Sequence, residues 1–224
     1  KSYVYPAATS TARALIRYII DMMNREPERI FTLFSGGTTP SLMFDIWAHE
    51  SEKRLLGCGC GFLGWTNVVY PSATRTVITD YAALLLQEVG MPDEYVYPIH
   101  GDCRSPTQEA KRYSDLVSGT VPLRRGFPTF DIVLWEQVID GHTSSIFPGQ
   151  EYLLLLFIRM KEHKPYNGQP RIAMTGCLLF SARSYILDNG QEQDEVVYDI
   201  LKSGDTGPAA TWRIMPRMWT SLPT

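Results

Sequence analysis

The spacing of apolar residues near the start of the chain predicts a helix followed by a buried strand. Apolar side chains at helical intervals over residues 9–25 indicate an amphipathic helix, with Thr9 or Ser10 as its N-cap. Residues 29–34 are short, apolar and rich in strand-forming types, and a second helix is predicted over residues 41–50. Because a glycine-containing turn separates this strand from the helix, the segment is typical of the start of a βαβ unit.

Strands and helices continue to alternate along the rest of the chain. Further strands are predicted over residues 65–70, 96–99, 130–134, 171–174 and 185–187, and further helices over residues 79–90, 107–117 and 194–201. Ser105 is the expected N-cap of the helix over 107–117, and Pro106 lies in its first turn. This alternation predicts an α/β protein with a doubly wound, mostly parallel sheet and helices on both faces.

Composition narrows the class of protein. With 224 residues and 44% hydrophobic side chains, the chain is expected to form one domain over residues 1–224. The net charge of −3 argues against a nucleic-acid-binding protein, because phosphate contacts need an excess of Lys and Arg. The apolar run at 152–158 is far shorter than the roughly 20 residues of a membrane helix. Residues 1–6 do not read as a secretion signal, so the expected compartment is cytoplasmic.

The cysteine spacing indicates neither a zinc site nor a redox pair. Cys58 and Cys60 are separated by a single residue, and Cys103 and Cys177 supply no second ligand pair. Reduced, structural thiols are therefore expected.

The first candidate site is the segment SGGTTP at residues 35–40. Gly36 and Gly37 lie between a predicted strand and a predicted helix, where the backbone turns sharply and a ligand can approach closely. Free amides at the start of the helix suit a phosphate, and Thr38 adds a hydroxyl donor. A tight turn with a helix cap explains the same residues, and there is no lysine of the nucleotide-binding P-loop type.

The second candidate site is the segment DGHTSS at residues 140–145. It follows the strand predicted over 130–134 as SGGTTP follows the strand over 29–34, so both segments are expected at the same edge of a parallel sheet. His142 can take a proton from water near neutral pH, and Asp140 can orient its ring. Alternatively, His142 caps a helix or fills a polar gap.

Taken together, these segments resemble the 6-phosphogluconolactonase family of the sugar-phosphate isomerase/deaminase superfamily. The resemblance is carried by four stretches, of which DGHTSSIFPG is the most specific: SGGTTP at 35–40, FPTFDIVL at 127–134, DGHTSSIFPG at 140–149 and PRIAMT at 170–175.

The resemblance implies a hydrolase of the pentose phosphate pathway that opens a phosphorylated sugar lactone without a metal or organic cofactor. His142 would activate water and Asp140 would support it. The substrate-binding residues implied in this way are Ser35, Gly36, Gly37, Thr38, Gly141 and Arg171.

The chain departs from the family pattern at three places. No arginine follows the strand that starts at Trp65, Glu136 and Val138 occupy glycine positions, and Gln193 occupies a lysine position. The chain therefore has fewer cations for a substrate phosphate than the family pattern has. Two other functions stay open: a catalytically impaired relative that binds a sugar phosphate, or an amino-sugar-phosphate deaminase/isomerase.

Overall fold

The computed structural model describes just under half of the chain. The described residues are 7–26, 31–34, 39–50, 60–63, 94, 96–100, 103–136, 145–150, 152–153, 160–163, 170–179 and 183–188. The strand predicted over 65–70 and the helices predicted over 79–90 and 194–201 lie outside these residues.

The described chain begins with alternating helices and strands, as the sequence predicts, whereas the elements described between residues 121 and 175 are all strands. The helices are α1 (Ala8–Arg25), α2 (Thr39–Glu50), α3 (Pro106–Thr120) and the single-turn α4 (Gly176–Leu179). The strands are β1 (Phe31–Phe34), β2 (Cys60–Leu63), β3 (Val96–Tyr97), β4 (Leu123–Arg124), β5 (Phe127–Pro128), β6 (Ile132–Glu136), β7 (Met160–His163), β8 (Arg171–Met174) and β9 (Ser184–Asp188). The predicted α/β class is confirmed.

Among the described residues, the largest sheet has five strands in the order β3-β2-β1-β6-β9. Each neighbouring pair in it is parallel. Two antiparallel pairs stand beside it, β4 with β5 and β7 with β8. The first strand of the chain therefore lies in the middle of the sheet, with β2 on one side and β6 on the other.

Helix α1 forms where the apolar period predicts it, but its N-cap differs from the prediction. Ala7 is extended, with φ −152° and ψ 149°, and its carbonyl accepts from the amides of Ser10 and Thr11 at 3.0 Å. Because the residue before the first helical one is extended, Ala7 is the cap, and Thr9 and Ser10 already lie in the first turn. The prediction of Thr9 or Ser10 as the cap is therefore wrong.

Helix α3 begins as its sequence predicts. The Ser105 hydroxyl accepts from the Gln108 amide at 3.4 Å, and Pro106 occupies the first turn. On the inner face, Tyr113 and Val117 are fully buried. They contribute to a core shared by α3, β6 and β8, whose fully buried members are Tyr113, Val117, Phe130, Val133, Ile146, Leu153, Ile172, Ala173, Met174 and Leu178.

One strand prediction needs correction, and one strand was not predicted. The strand expected from residue 130 begins at Ile132, after a hairpin of β4 and β5 whose second strand ends at Pro128. Arg125 and Gly126 make the hairpin turn, with φ of 51° and 81°. The glycine-rich stretch over 55–64, for which no element was predicted, contains β2, which pairs with the central strand. Within the described part of the chain, no helix is long and apolar enough to cross a membrane.

Candidate active site

The strands that precede the two candidate segments are neighbours. β1 and β6 pair in parallel, with Leu33 opposite Ile132 and Phe34 opposite Val133. SGGTTP follows Phe34 directly, and DGHTSS follows Glu136 after residues 137–139. Since parallel strands end at the same edge, the strands before both segments end at the carboxyl edge of the sheet, whereas residues 35–38 and 137–144 lie outside the described residues. The parallel pairing of the two preceding strands agrees with the sequence analysis, and the shared edge of the two segments themselves stays a prediction.

The strand order reverses between β1 and β6. From β1 the chain adds β2 and β3 on one side, and β6 and β9 follow on the other. The crevice beyond the carboxyl ends at such a reversal is where α/β sheets bind their ligands. Most residues predicted for the site lie outside the described residues, and their roles stay predictions: Ser35, Gly36, Gly37, Thr38, Asp140, Gly141 and His142.

Glu136 lies within β6 although the resembling family has a glycine at this position. It is opposite Asp188 in the parallel pairing of β6 with β9. Among the described residues other than glycine, positive φ angles occur at Arg125 and Ser145. Position 136 is therefore a paired strand position, and position 138 lies outside the described residues.

The described end of the DGHTSS segment contacts Arg171. Arg171 Nη1 donates to Ser145 Oγ at 3.3 Å, and its guanidinium carbon lies 5.2 Å from the ring centroid of Phe147. Ser145 and Phe147 are buried, whereas Arg171 is half-buried. The structure thus brings together two of the stretches on which the family resemblance rests, DGHTSSIFPG and PRIAMT.

Sequence reasoning missed Ser145 and Phe147 as partners of Arg171. Ser145 adopts φ 62°, a left-handed conformation that is uncommon outside glycine, asparagine and aspartate. A turn follows, in which Gly149 has φ 86° and the Gln150 amide donates to the Phe147 carbonyl at 2.9 Å. The glycine marks this turn in the sequence, but a serine gives no such signal.

A second polar cluster fixes the chain just beyond β3, at the same carboxyl edge. The buried carboxylate of Glu109 accepts from Arg112 Nε and Nη2, both at 2.6 Å, and from the His100 amide at 2.8 Å. Tyr113 donates to the Tyr97 carbonyl at 2.8 Å. Helix α3 therefore holds both the end of β3 and the residues after it.

The electrostatics of this cluster follow from its contacts. The hydrogen bond to Glu109 raises the pKa of Arg112, so the guanidinium stays charged. Burial raises the pKa of Tyr113 well above its ordinary value, because the phenolate cannot be solvated there. Glu109 was not singled out from the sequence, since an acidic residue in a first helical turn is usually exposed.

Comparison with known proteins places the chain in a family. The model of the family described as Glucosamine-6-phosphate isomerases/6-phosphogluconolactonase matches residues 6–218. A 6-phosphogluconolactonase of Treponema pallidum is 26% identical over 235 aligned residues, covering 100% of this chain and 93% of that protein. A 6-phosphogluconolactonase of Haemophilus influenzae is 30% identical over 179 residues, covering 78% of this chain and 73% of that protein.

A solved structure shows the same fold. The structure of 6-phosphogluconolactonase from Trypanosoma brucei superposes with a TM-score of 0.76 at 22% identity, covering 94% of this chain and 90% of that one. The family match spans nearly the whole chain, both candidate segments included. The chain therefore belongs to the glucosamine-6-phosphate isomerase/6-phosphogluconolactonase family.

Proposed function

We propose that the protein hydrolyses 6-phospho-D-glucono-1,5-lactone to 6-phosphogluconate, as a carboxylic ester hydrolase of the oxidative pentose phosphate pathway. One observation carries the proposal: β1 and β6 are parallel neighbours, and each is followed along the chain by one of the two segments that the reaction needs. The relatives named 6-phosphogluconolactonase align with most of this chain, and this similarity supports the proposal.

In the proposed mechanism, His142 is the general base. It takes a proton from water, whose oxygen attacks the lactone carbonyl carbon. The bond between that carbon and the ring oxygen then breaks, and the ring oxygen takes the proton from the imidazolium. Asp140 orients the imidazole and stabilises its protonated form. A lactone is already a reactive ester, so positioning and one base supply the required acceleration.

The phosphate group is assigned to the segment before α2. Ser35, Gly36, Gly37 and Thr38 would surround it with amides and hydroxyls. Helix α2 begins at Thr39, so its positive dipole end directly follows these residues. Gly141 and Arg171 complete the proposed site on the side of the sheet where β6 ends.

The proposal also includes the finer architecture. A single domain over residues 1–224, doubly wound with helices on both faces of the sheet, would place both ends of the substrate in one crevice at the strand reversal. The observed strand order supports this arrangement. The substrate is the phosphorylated sugar lactone, and the proposed reaction itself requires neither metal nor organic cofactor.

A coupled assay tests the function directly. Purified protein and freshly prepared lactone are mixed, and 6-phosphogluconate is followed through its dehydrogenase and NADPH absorbance. We expect product formation well above the spontaneous rate, and its loss in His142→Ala. His49→Ala is the matched control, because His49 is an exposed histidine near the end of α2.

Four outcomes would contradict the proposal. The first is a rate no faster than spontaneous hydrolysis, and the second is full activity in His142→Ala. The third is calorimetric binding of 6-phosphogluconate without any turnover, which would indicate a sugar-phosphate-binding protein. Release of ammonia from glucosamine 6-phosphate would point instead to a deaminase.

A further inference from the structure

We propose that Arg171 is a positioning residue, which holds the chain segment after His142 in place through Ser145 and Phe147 instead of binding the substrate phosphate. The inference rests on the proposed lactonase function. It refines the role that the family resemblance gave to Arg171, because the structure shows which groups this guanidinium contacts.

Arg171 contacts the segment through two different parts of its guanidinium. Its Nη1 donates to Ser145 Oγ at 3.3 Å. The ring of Phe147 lies 5.2 Å from its central carbon, within the range of a cation–π contact. Both partners are buried, so water competes weakly for either contact.

The strand that carries Arg171 is tightly packed in the core. Arg171 opens β8 and is opposite His163 in the antiparallel pair of β7 and β8. The next residues of β8, Ile172, Ala173 and Met174, are completely buried. A side chain that starts from a packed strand is a suitable anchor for a neighbouring turn.

The anchored turn carries backbone strain. Ser145 has φ 62°, a conformation that disfavours side chains with a Cβ atom. Such conformations persist where surrounding contacts enforce them, and they concentrate at functional sites. The hydrogen bond from Arg171 and the burial of Ile146 and Phe147 are contacts of this kind.

The anchored turn is covalently close to the proposed base. Residues 143 and 144 join His142 to Ser145, and a fully extended chain of this length spans at most about 11 Å. Fixing Ser145 therefore limits where the imidazole can lie. Small displacements of a general base lower the rate strongly, by about 100-fold for 1 Å.

The first experiment separates positioning from phosphate binding. It compares kcat on the lactone with the calorimetric Kd for 6-phosphogluconate, in Arg171→Met and in the wild type. A positioning role predicts a fall in kcat of about 10- to 100-fold, with Kd changed less than about threefold. A phosphate ligand would weaken Kd at least about tenfold, since charged hydrogen bonds contribute strongly to binding, and that result would overturn the proposal.

Conservative variants and a double mutant sharpen the test. Arg171→Lys keeps a cationic donor and is expected to recover part of kcat. Ser145→Ala removes the acceptor and is expected to lower kcat with little change in Kd. If Arg171 acts through Ser145, kcat of the double variant Arg171→Met/Ser145→Ala falls by a smaller factor than the product of the factors measured for the two single variants. Independent, multiplicative effects would contradict the proposal.

Controls test whether loss of folding or loss of a positive charge explains the effect of Arg171→Met. Arg124→Met removes an exposed arginine from β4, in the hairpin that precedes β6, and should leave both kcat and Kd unchanged. Thermal unfolding shows which variants are folded at the assay temperature. If Arg171→Met unfolds, Arg171→Lys and Ser145→Ala provide the same comparison of kcat with Kd.

Hydrogen exchange tests the anchor without any activity. Peptides covering residues 145–150 should exchange faster in Arg171→Met than in Arg124→Met, with unchanged exchange in α1. Equal protection in both variants would contradict the anchoring role. If the wild type hydrolyses no lactone while this difference is present, the proposed function fails and the anchor itself stands.

Discussion

Arg183 donates to the fully buried carboxylate of Asp131 from the start of the neighbouring strand, with Nη1 at 3.1 Å from Oδ1. Its Nη2 also lies 2.9 Å from Glu26 Oε1, just after α1, and its amide donates to the Phe130 carbonyl at 2.8 Å. One arginine thus joins the end of α1 to the amino ends of β6 and β9, at the edge opposite the candidate site.

Replacing Arg183 by Met should lower the free energy of unfolding by about 3 kcal/mol. The reason is that the carboxylate of Asp131 stays buried but loses its cation, which is far costlier than losing a surface pair. Urea denaturation measures the change. Glu26→Gln is the matched control and should cost less than about 1 kcal/mol, because that carboxylate is partly exposed. Equal losses in both variants would show that burial of Asp131 is not the cause.

Replacing Glu109 by Gln should lower the free energy of unfolding by about 2 kcal/mol, because a buried carboxylate then no longer binds Arg112 by two charged hydrogen bonds. Asp115→Asn removes an exposed carboxylate that pairs with Lys111 on the same helix, and should cost less than about 0.5 kcal/mol. Both values come from denaturant titration at pH 7. A Glu109→Gln variant as stable as Asp115→Asn would contradict the prediction.

Tyr113 should make the protein less stable at high pH. Burial raises its pKa in the folded state above that of the unfolded chain, so the native state keeps the proton longer. The stabilisation that results is fully present below about pH 10. Above that pH, the free energy of unfolding falls by about 1.4 kcal/mol per pH unit, because unfolding then releases a proton. Denaturation between pH 8 and 11 measures this loss.

Tyr113→Phe is the comparison for this pH dependence. The variant loses the hydrogen bond to the Tyr97 carbonyl, which should cost about 1 kcal/mol at pH 8. Because it has no phenol at this position, its disadvantage should shrink as the pH rises above about 10. A constant difference between the two proteins across the whole range would contradict a raised pKa.

Two substitutions at Ser145 should differ in stability. Both remove the hydroxyl that accepts from Arg171, but only glycine adopts φ 62° without strain. Ser145→Gly should therefore be more stable to unfolding than Ser145→Ala by about 1 kcal/mol. Thermal and urea unfolding of the two variants side by side measure the difference. If alanine proved the more stable, the left-handed conformation at this position would be in doubt.

Local signals in the sequence were sufficient where neighbouring residues decide the structure. The start of α3 was predicted because Ser105 and Pro106 act on amides within one turn. The strand at residues 171–174 was predicted because short apolar runs pack in the core. The N-cap of α1 was missed because several adjacent residues can stand at the start of a helix, and the backbone conformation selects among them.

Relationships between distant residues were not visible in the sequence. Arg171 and Ser145 meet only because β8 packs beside the turn after DGHTSS, and no periodicity encodes that contact. β2 was hidden because a glycine-rich stretch has a weak strand signal, whereas its pairing with β1 depends on partners elsewhere in the chain. The parallel pairing of β1 with β6, which precede the two candidate segments, was predictable from the alternation of elements.

The central place of β1 has a consequence for how the protein is made. Leu33 emerges from the ribosome early, yet its partner Ile132 is synthesised much later, and β9 later still. Until then, one side of β1 has no strand to pair with, so the nascent chain needs protection against pairing with other chains. Such long-range pairing slows folding, and we expect the sheet to close only after synthesis has passed Asp188.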